Sequence, residues 1–202
     1  MEFPVISHKN PLILASASPR RRDLLTQINI PFVVFPCDID ENSEKGEPCE
    51  ICGHLAEKKA VHAWKYKSDN QWVLGADTIV VKSGRILGKP SGNDEVMSML
   101  KYLSNGDHEV ITGFSVMNPS GGIALTDHVS TVVKVKKLST AEIDLYIKTG
   151  EPFGKAGGYA IQGIGAFMIE SINGSYSNVV GLPLFAVIDS LKKLKAVKQF
   201  PL

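Results

Sequence analysis

Residues 12–25 read LILASASPRRRDLL: an apolar run, small hydroxyl residues, a proline, three arginines and a leucine pair. The apolar run predicts a strand over 12–16, and Ser18 followed by Pro19 is typical of a helix that begins at once, here over 19–28. Free backbone N–H groups, two serine hydroxyls and guanidinium groups would then surround one helix N-terminus, an arrangement that binds phosphate. The alternative is a solvated basic turn in a flexible tail, which the apolar residues on both sides disfavour.

Length and composition limit the class of protein. The chain has 202 residues, 44% hydrophobic and 21% charged, which suits an ordinary globular protein of one domain. Its net charge of +1 argues against a general electrostatic attraction to nucleic acid or a membrane surface. The chain has no run of about 18 apolar residues, and residues 1–4 do not resemble a signal peptide. We therefore expect a cytoplasmic protein without a nucleic-acid or membrane partner.

Strand-like and helix-like patterns alternate along the chain, which predicts an α/β fold. The predicted strands cover 12–16, 30–35, 72–81, 86–87, 108–117, 123–135 and 167–172. The predicted helices cover 19–28, 48–66, 94–103, 140–150 and 184–194, and a loop is expected over 173–183. Hairpin signals between long strands indicate a mixed, twisted sheet flanked by helices. Since no linker is visible, we expect a single domain over 1–202, made of two lobes around a deep cleft.

Three cysteines fit a reducing compartment better than a disulfide framework. Cys49 and Cys52 nevertheless have metal-ligand spacing, with Cys37 upstream and His54 just after them. A zinc site formed by these four residues is one interpretation. The other, which we favour, is that Cys49 and Cys52 lie near the first turn of a helix and simply face its neighbours.

Asp77 is the first candidate for catalysis. It interrupts the apolar run VLGADTIVV at residues 73–81, although aspartate is depleted in strands and an unpaired buried charge is costly. One interpretation is that backbone N–H groups hold it at a bulge, which Gly75 would permit. We favour the other, that it is a general base or metal ligand in a cleft.

Other polar groups leave two interpretations open. Lys89 lies in a constrained Gly-Lys-Pro turn and is either a phosphate ligand or a surface lysine, whereas periodicity alone does not assign Lys59. The segment 154–166 contains five glycines, which allow a backbone to approach a flat ligand closely, so that Tyr159 and Gln162 would contact a base. Taken alone, this segment is better explained as a glycine-rich hairpin with a structural role.

Taken together, the ordered motifs resemble the Maf family of nucleoside triphosphate pyrophosphatases. The blocks that carry the resemblance are SASPRR at 16–21, GADTIV at 75–80, GKP at 88–90, AGGYAIQG at 156–163 and NGSYSNVVGLP at 173–183. The resemblance covers about residues 12–194 and implies a fold like that of inosine triphosphate pyrophosphatases. It also implies hydrolysis of a nucleoside triphosphate to the monophosphate and pyrophosphate. The Ser-Pro-Arg-Arg and Asp-Thr forms look like the branch that acts on dTTP and UTP. The expected substrates also include related or modified pyrimidine nucleotides, whose removal would be a house-cleaning role.

The resemblance assigns roles to residues of this chain. Asp77 falls on the proton acceptor. Substrate contacts are expected from Ser16, Ser18, Arg20, Arg21, Lys59, Thr78, Lys89 and Gln162. Of these, Arg20, Thr78 and Gln162 fall on the specificity positions. A divalent cation (magnesium, manganese or cobalt) is expected on Asp77 and Glu41. The resemblance also suggests a homodimer, and it leaves one alternative function: a nucleotide-binding regulator of cell division and septum formation with little turnover.

Overall fold

The computed structural model describes residues 3–37, 39, 46–67 and 70–201. The strands in this part of the chain are β1 (Leu12–Ala15), β2 (Phe32–Val34), β3 (Val73–Lys82), β4 (Arg85–Leu87), β5 (Gly106–Met117), β6 (Ile123–Val135) and β7 (Ile169–Asn173). The helices are α1 (Pro19–Gln27), α2 (Pro48–Lys67), α3 (Asn93–Leu103), α4 (Thr140–Lys148), α5 (Tyr176–Val180) and α6 (Leu184–Lys193). Two 3₁₀ turns cover Ala156–Gly158 and Ile164–Met168.

The predicted order of strands and helices is confirmed, with boundaries that agree within about two residues. The capping box that begins α4 is present, because Ser139 and Glu142 each accept the other's backbone N–H. Two predictions were incomplete. The predicted start of the last strand is a 3₁₀ turn, and α5 lies inside the predicted loop, where the Ser175 hydroxyl accepts the Asn178 N–H at 3.3 Å.

The mixed α/β sheet is also confirmed. The strand order is β2-β1-β3-β5-β6-β7, and β4 pairs with β3. Strand β1 runs parallel to both β2 and β3, whereas β3 with β4 and β6 with β7 are antiparallel pairs. The register between β1 and β3 pairs Ala15 with Gly75. The carboxyl end of β1 therefore lies beside the beginning of β3, and β3 continues beyond it.

The chain divides into two compact units. Unit 1 comprises Met1–Asp77, Thr112–Val129 and Gly181–Leu202, and unit 2 comprises Thr78–Ile111 and Ser130–Val180. In unit 1, a buried cluster joins β1, β3 and β5 to the small residues of α2. In unit 2, the apolar faces of α3 and α4 pack with β5, β6 and the second 3₁₀ turn. The expectation of a single domain with two lobes around a cleft stays a prediction.

Helix α2 packs unusually close to the sheet of unit 1. A Cβ added at Gly75 would lie 2.8 Å from the Ala60 backbone nitrogen and closer still to the Ala56 carbonyl oxygen. A Cβ at Gly113 would likewise lie 2.6 Å from the Gly53 nitrogen. Gly75 pairs with Ala15 in the ladder to β1, where it makes room for a helix backbone, and the bulge considered for Asp77 stays a prediction. Among the described residues, no helix is both long and apolar enough to cross a membrane.

We expect Gly75→Ala to lower the free energy of unfolding by about 3 kcal/mol, because backbone atoms of α2 cannot yield as a flexible side chain would. Chemical denaturation checks this. The matched control is Gly88→Ala, whose added methyl group meets no atom within 4 Å. Equal stability of the two variants would contradict the close packing described here.

Candidate functional site

The junction between β1 and α1 is organised by a buried arginine. Arg21 donates from Nη1 to the Ser16 hydroxyl at 2.9 Å and from Nε to the Gly181 carbonyl at 2.7 Å. The Ser16 hydroxyl also accepts the backbone N–H of Ser18 at 3.2 Å. As predicted, Ser18 is the N-cap residue and Pro19 occupies the first turn, but the Ser18 side chain makes no capping hydrogen bond. The junction is therefore held by Arg21 and Ser16.

The three consecutive arginines lie in different environments. Arg21 is buried, Arg20 is half-buried and Arg22 is exposed. Burial lowers the pKa of the Arg20 guanidinium. A partly buried cation at a helix N-terminus has two costs: it loses hydration, and the positive end of the helix dipole repels it. A bound anion would reduce both costs. Phosphate contact by Arg20 and Arg21 stays a prediction, and Arg21 in addition has the structural role just described.

The second feature of unit 1 is an ion pair between α2 and β3. Lys59 Nζ lies 2.5 Å from Asp77 Oδ1, and both residues are 6% exposed. The pair forms because Gly75 and the alanines of α2 bring helix and strand together, and Asp77 lies on the same face of β3 as Gly75, two residues on. A buried ion pair carries a large desolvation cost, so it is poor evidence for stability and better evidence for a site.

The sheet register brings these two features to one region of unit 1. Since Ala15 pairs with Gly75, strand β1 ends and α1 begins at the level where β3 continues to Asp77. In parallel strands this carboxyl edge is where ligands commonly bind. Four predicted site residues (Ser16, Arg21, Lys59 and Asp77) are therefore buried polar groups of the same unit.

The remaining predicted site residues are placed differently. Thr78 is half-buried, and Lys89 and Gln162 are exposed; all three belong to unit 2. Glu41 lies outside the described residues. The roles expected of these four residues stay predictions.

The zinc alternative is wrong. The Cys52 thiol is buried and donates to the Cys49 carbonyl within α2, while the Cys37 thiol contacts the Lys59 carbonyl at 3.4 Å. Burial raises the pKa of Cys52 to about 12, with the Asp77 charge adding to the effect. Within the part of the chain that the structure describes, no group of three or more His, Cys, Asp or Glu residues could hold a metal ion.

The glycine-rich segment packs against the protein itself. A Cβ at Gly157 would meet the Val80 side chain at 3.1 Å, and one at Gly163 would lie 2.8 Å from the Glu151 carboxyl carbon. Tyr159 is buried, and its hydroxyl lies 2.7 Å from Nε2 of His108. The prediction that Tyr159 contacts a base is therefore wrong, and the structural interpretation of the glycines is favoured.

Sequence reasoning missed three residues that organise this segment. His108 holds Tyr159, and Tyr146 and Glu151 contact the backbone of residues 160–165. A histidine at the start of an apolar strand and a glutamate just after a helix are common surface features. No local pattern in the sequence distinguishes them, because these partners lie 13 to 51 residues away.

A sequence profile described as Maf-like protein matches residues 11–194. The chain therefore belongs to the family of Maf-like proteins. Three relatives bear the name dTTP/UTP pyrophosphatase. The protein of Syntrophotalea carbinolica is 48% identical over 195 residues, covering 96% of this chain and 89% of the relative. Those of Ruminiclostridium cellulolyticum and Geotalea uraniireducens are 46% and 48% identical, covering 91% and 94% of this chain and 95% and 98% of their own lengths.

Likeness to solved structures is weaker. The Ham1 protein of Staphylococcus aureus aligns with a TM-score of 0.46 at 15% identity, covering 79% of this chain and 80% of its own. A dITP/XTP pyrophosphatase of Mycobacterium abscessus aligns with a TM-score of 0.44 at 15% identity, covering 95% and 100%. Similarity of this size carries no conclusion about fold or activity.

For the ion pair, we expect Lys59→Met and Asp77→Asn each to lower the free energy of unfolding by about 3 kcal/mol, because each leaves one buried charge uncompensated. The double variant should lose less than the sum, since neither charge of the pair remains. Denaturant unfolding of all four proteins measures the coupling. The matched control is the exposed pair Lys134–Glu170, where Lys134→Met should change stability little. Strict additivity at Lys59 and Asp77 would refute a buried pair.

His108 gives a prediction about pH. Burial, with a smaller effect of the Lys82 charge, lowers the pKa of His108 to about 4, against 6.5 in the unfolded chain. Below pH 6.5 the unfolded chain takes up the proton first, so the native state loses stability as the pH falls and by pH 4 has lost about 3 kcal/mol. Urea unfolding of the wild type and of His108→Gln at several pH values isolates this contribution. A difference that stays constant between pH 7 and pH 4 would show that His108 is not buried in its neutral form.

Proposed function

We propose that this protein hydrolyses nucleoside triphosphates, with dTTP and UTP as preferred substrates, to the nucleoside monophosphate and pyrophosphate. The observation that carries the proposal is the buried Lys59–Asp77 pair beside the Arg21-organised junction of β1 and α1. Family membership and the names of the relatives support the same activity.

The chemistry needs a proton acceptor and compensating positive charge. A water oxygen attacks the α-phosphorus, the bond from that phosphorus to the bridging oxygen of the β-phosphate breaks, and pyrophosphate leaves. Asp77 accepts the proton of the attacking water, as a positioned carboxylate can. The Lys59 ammonium and the guanidinium groups of α1 compensate the charge that develops on the phosphate oxygens. Exclusion of water strengthens each of these interactions.

The buried pair also defines what must change when the substrate binds. In the structure, Lys59 Nζ occupies one oxygen of the Asp77 carboxylate. A triphosphate carries about four negative charges near neutral pH, so Lys59 would then have two anionic partners. We propose that Lys59 contacts the phosphates while staying near Asp77, which leaves a carboxylate oxygen available for the water proton.

A divalent cation fits these residues in one way. Magnesium binds few protein carboxylates and takes its other ligands from phosphates and water. Asp77 supplies one hard oxygen donor, and the absence of a preformed cluster among the described residues is consistent with a cation that arrives with the nucleotide. We propose that Asp77 and Glu41 hold magnesium, manganese or cobalt, which supplies Lewis-acid charge neutralisation when bound.

The test identifies the bond that is cleaved. Incubation with dTTP and magnesium in water enriched in ¹⁸O should place the label in the monophosphate and release unlabelled pyrophosphate. Asp77→Asn should lower kcat at least about a hundredfold, whereas Asp144→Asn, which removes an exposed carboxylate on α4, should not. Circular dichroism confirms that each variant is folded. Label in orthophosphate would show that a different phosphorus is attacked and a different bond is cleaved. Tight dTTP binding without turnover would favour the regulator of cell division.

A further inference from the structure

The carboxylate of Glu151 holds one end of a segment that we call the Gln162 segment, residues 160–165. Glu151 Oε1 accepts the Gly165 N–H at 2.8 Å, and Oε2 accepts the Ile164 N–H at 2.9 Å. Oε1 also accepts the Tyr146 hydroxyl at 2.8 Å. Three donors thus converge on one carboxylate. Burial acts to raise the pKa of Glu151, but these hydrogen bonds outweigh it and the pKa is lowered, so the group is an anion at neutral pH.

The hydroxyl of Tyr146 holds the other end. It accepts the Ala160 N–H at 3.2 Å while donating to Glu151, so one chain of hydrogen bonds joins both ends of the segment. Tyr146 is buried on α4, whose start is fixed by its capping box. Glu151 follows the end of the same helix by three residues. The support is therefore a rigid element of unit 2.

The glycines of the segment are required by this arrangement. A Cβ at Gly165 would lie 2.8 Å from the Tyr146 hydroxyl and 2.6 Å from the Ala160 carbonyl. A Cβ at Gly163 would lie 2.8 Å from the Glu151 carboxyl carbon. Between these closely packed glycines and Ala160, Gln162 remains exposed. The backbone on both sides of that side chain is thus fixed by side chains that the expected chemistry does not use.

We propose that Tyr146 and Glu151 are positioning residues that hold the Gln162 segment so that the Gln162 amide meets the nucleotide base in one orientation. This inference rests on the proposed function. An amide carries a donor and an acceptor, and rotation exchanges them, so a mobile amide complements thymine and cytosine equally. A held amide discriminates, because the wrong base leaves buried groups unpaired.

The decisive measurement is the preference for dTTP over dCTP, expressed as the ratio of the two kcat/KM values. We expect Tyr146→Phe to lower this ratio about tenfold with kcat for dTTP nearly unchanged. Glu151→Gln should lower it further, because the new NH₂ group would face a backbone N–H. In a Gln162→Ala background neither substitution should lower the ratio further, since the residue they act through is gone. Independent reductions in that background would overturn the inference.

Matched controls come from the same unit. Tyr102→Phe removes a hydroxyl that donates to the Lys82 carbonyl at 3.2 Å, and Glu109→Gln alters a carboxylate that accepts the Ser130 hydroxyl at 2.7 Å. Both should cost some stability and leave the dTTP preference unchanged. A similar fall in these controls would mean that the preference follows the stability of the unit as a whole, which also overturns the inference.

A second readout does not require turnover. Hydrogen exchange at the amides of Ala160, Ile164 and Gly165 should be at least tenfold faster in Glu151→Gln and Tyr146→Phe than in the wild type and the controls. Unchanged exchange would overturn the inference whatever the kinetics. If the wild type releases no pyrophosphate, the proposed function fails by itself. The comparison is then made on dissociation constants for dTTP and dCTP, and a preference that Tyr146→Phe leaves intact would overturn the inference.

Discussion

The buried contact between Lys59 and Asp77 is the constraint on which unit 1 depends. Both side chains lie out of water, so each is stabilised there by having the other beside it. That requirement fixes the distance between α2 and β3. The distance in turn demands backbone-to-backbone packing, which Gly75 and Ala60 provide. The small residues in the middle of the helix and strand therefore make the ion pair possible.

The three arginines after β1 were expected to share one role, but they lie in three different environments. Arg21 joins α1 to the Gly181 carbonyl, which lies just before α6, and orders the Ser16 hydroxyl at the same time. Arg20 stays partly desolvated and Arg22 is exposed. Arg21 is therefore a structural residue, Arg20 is a candidate anion ligand and Arg22 is a solvated charge. Their spacing along the chain does not reveal this division.

The sequence predicted strands and helices well because periodicity, turn residues and capping signals are local. It also identified Asp77, because a carboxylate in an apolar strand conflicts with its neighbours. Contacts between distant residues were not predictable in the same way. In the sequence, Lys59 is not distinguished from the other lysines of its helix; only the packing of α2 on β3 brings it to Asp77. The aromatic ring of Tyr159 suggests stacking on a base, but its burial against His108 excludes that role. Gly75 was considered only as a residue that would permit a bulge; its close approach to the backbone of α2 was not predictable, because it joins residues 15 to 19 positions apart.

If Gln162 contacts the base as proposed, the glycine-rich segment of unit 2 limits how base preference can be redesigned. Positions 163 and 165 cannot accept larger side chains without displacing the Glu151 carboxylate or the Tyr146 hydroxyl. Diversity confined to 161 and 162, with the supporting tyrosine and glutamate left intact, samples new chemistry on an unchanged scaffold. If Gln162 contacts the base as proposed, a new specificity is therefore to be sought at such positions rather than at the glycines.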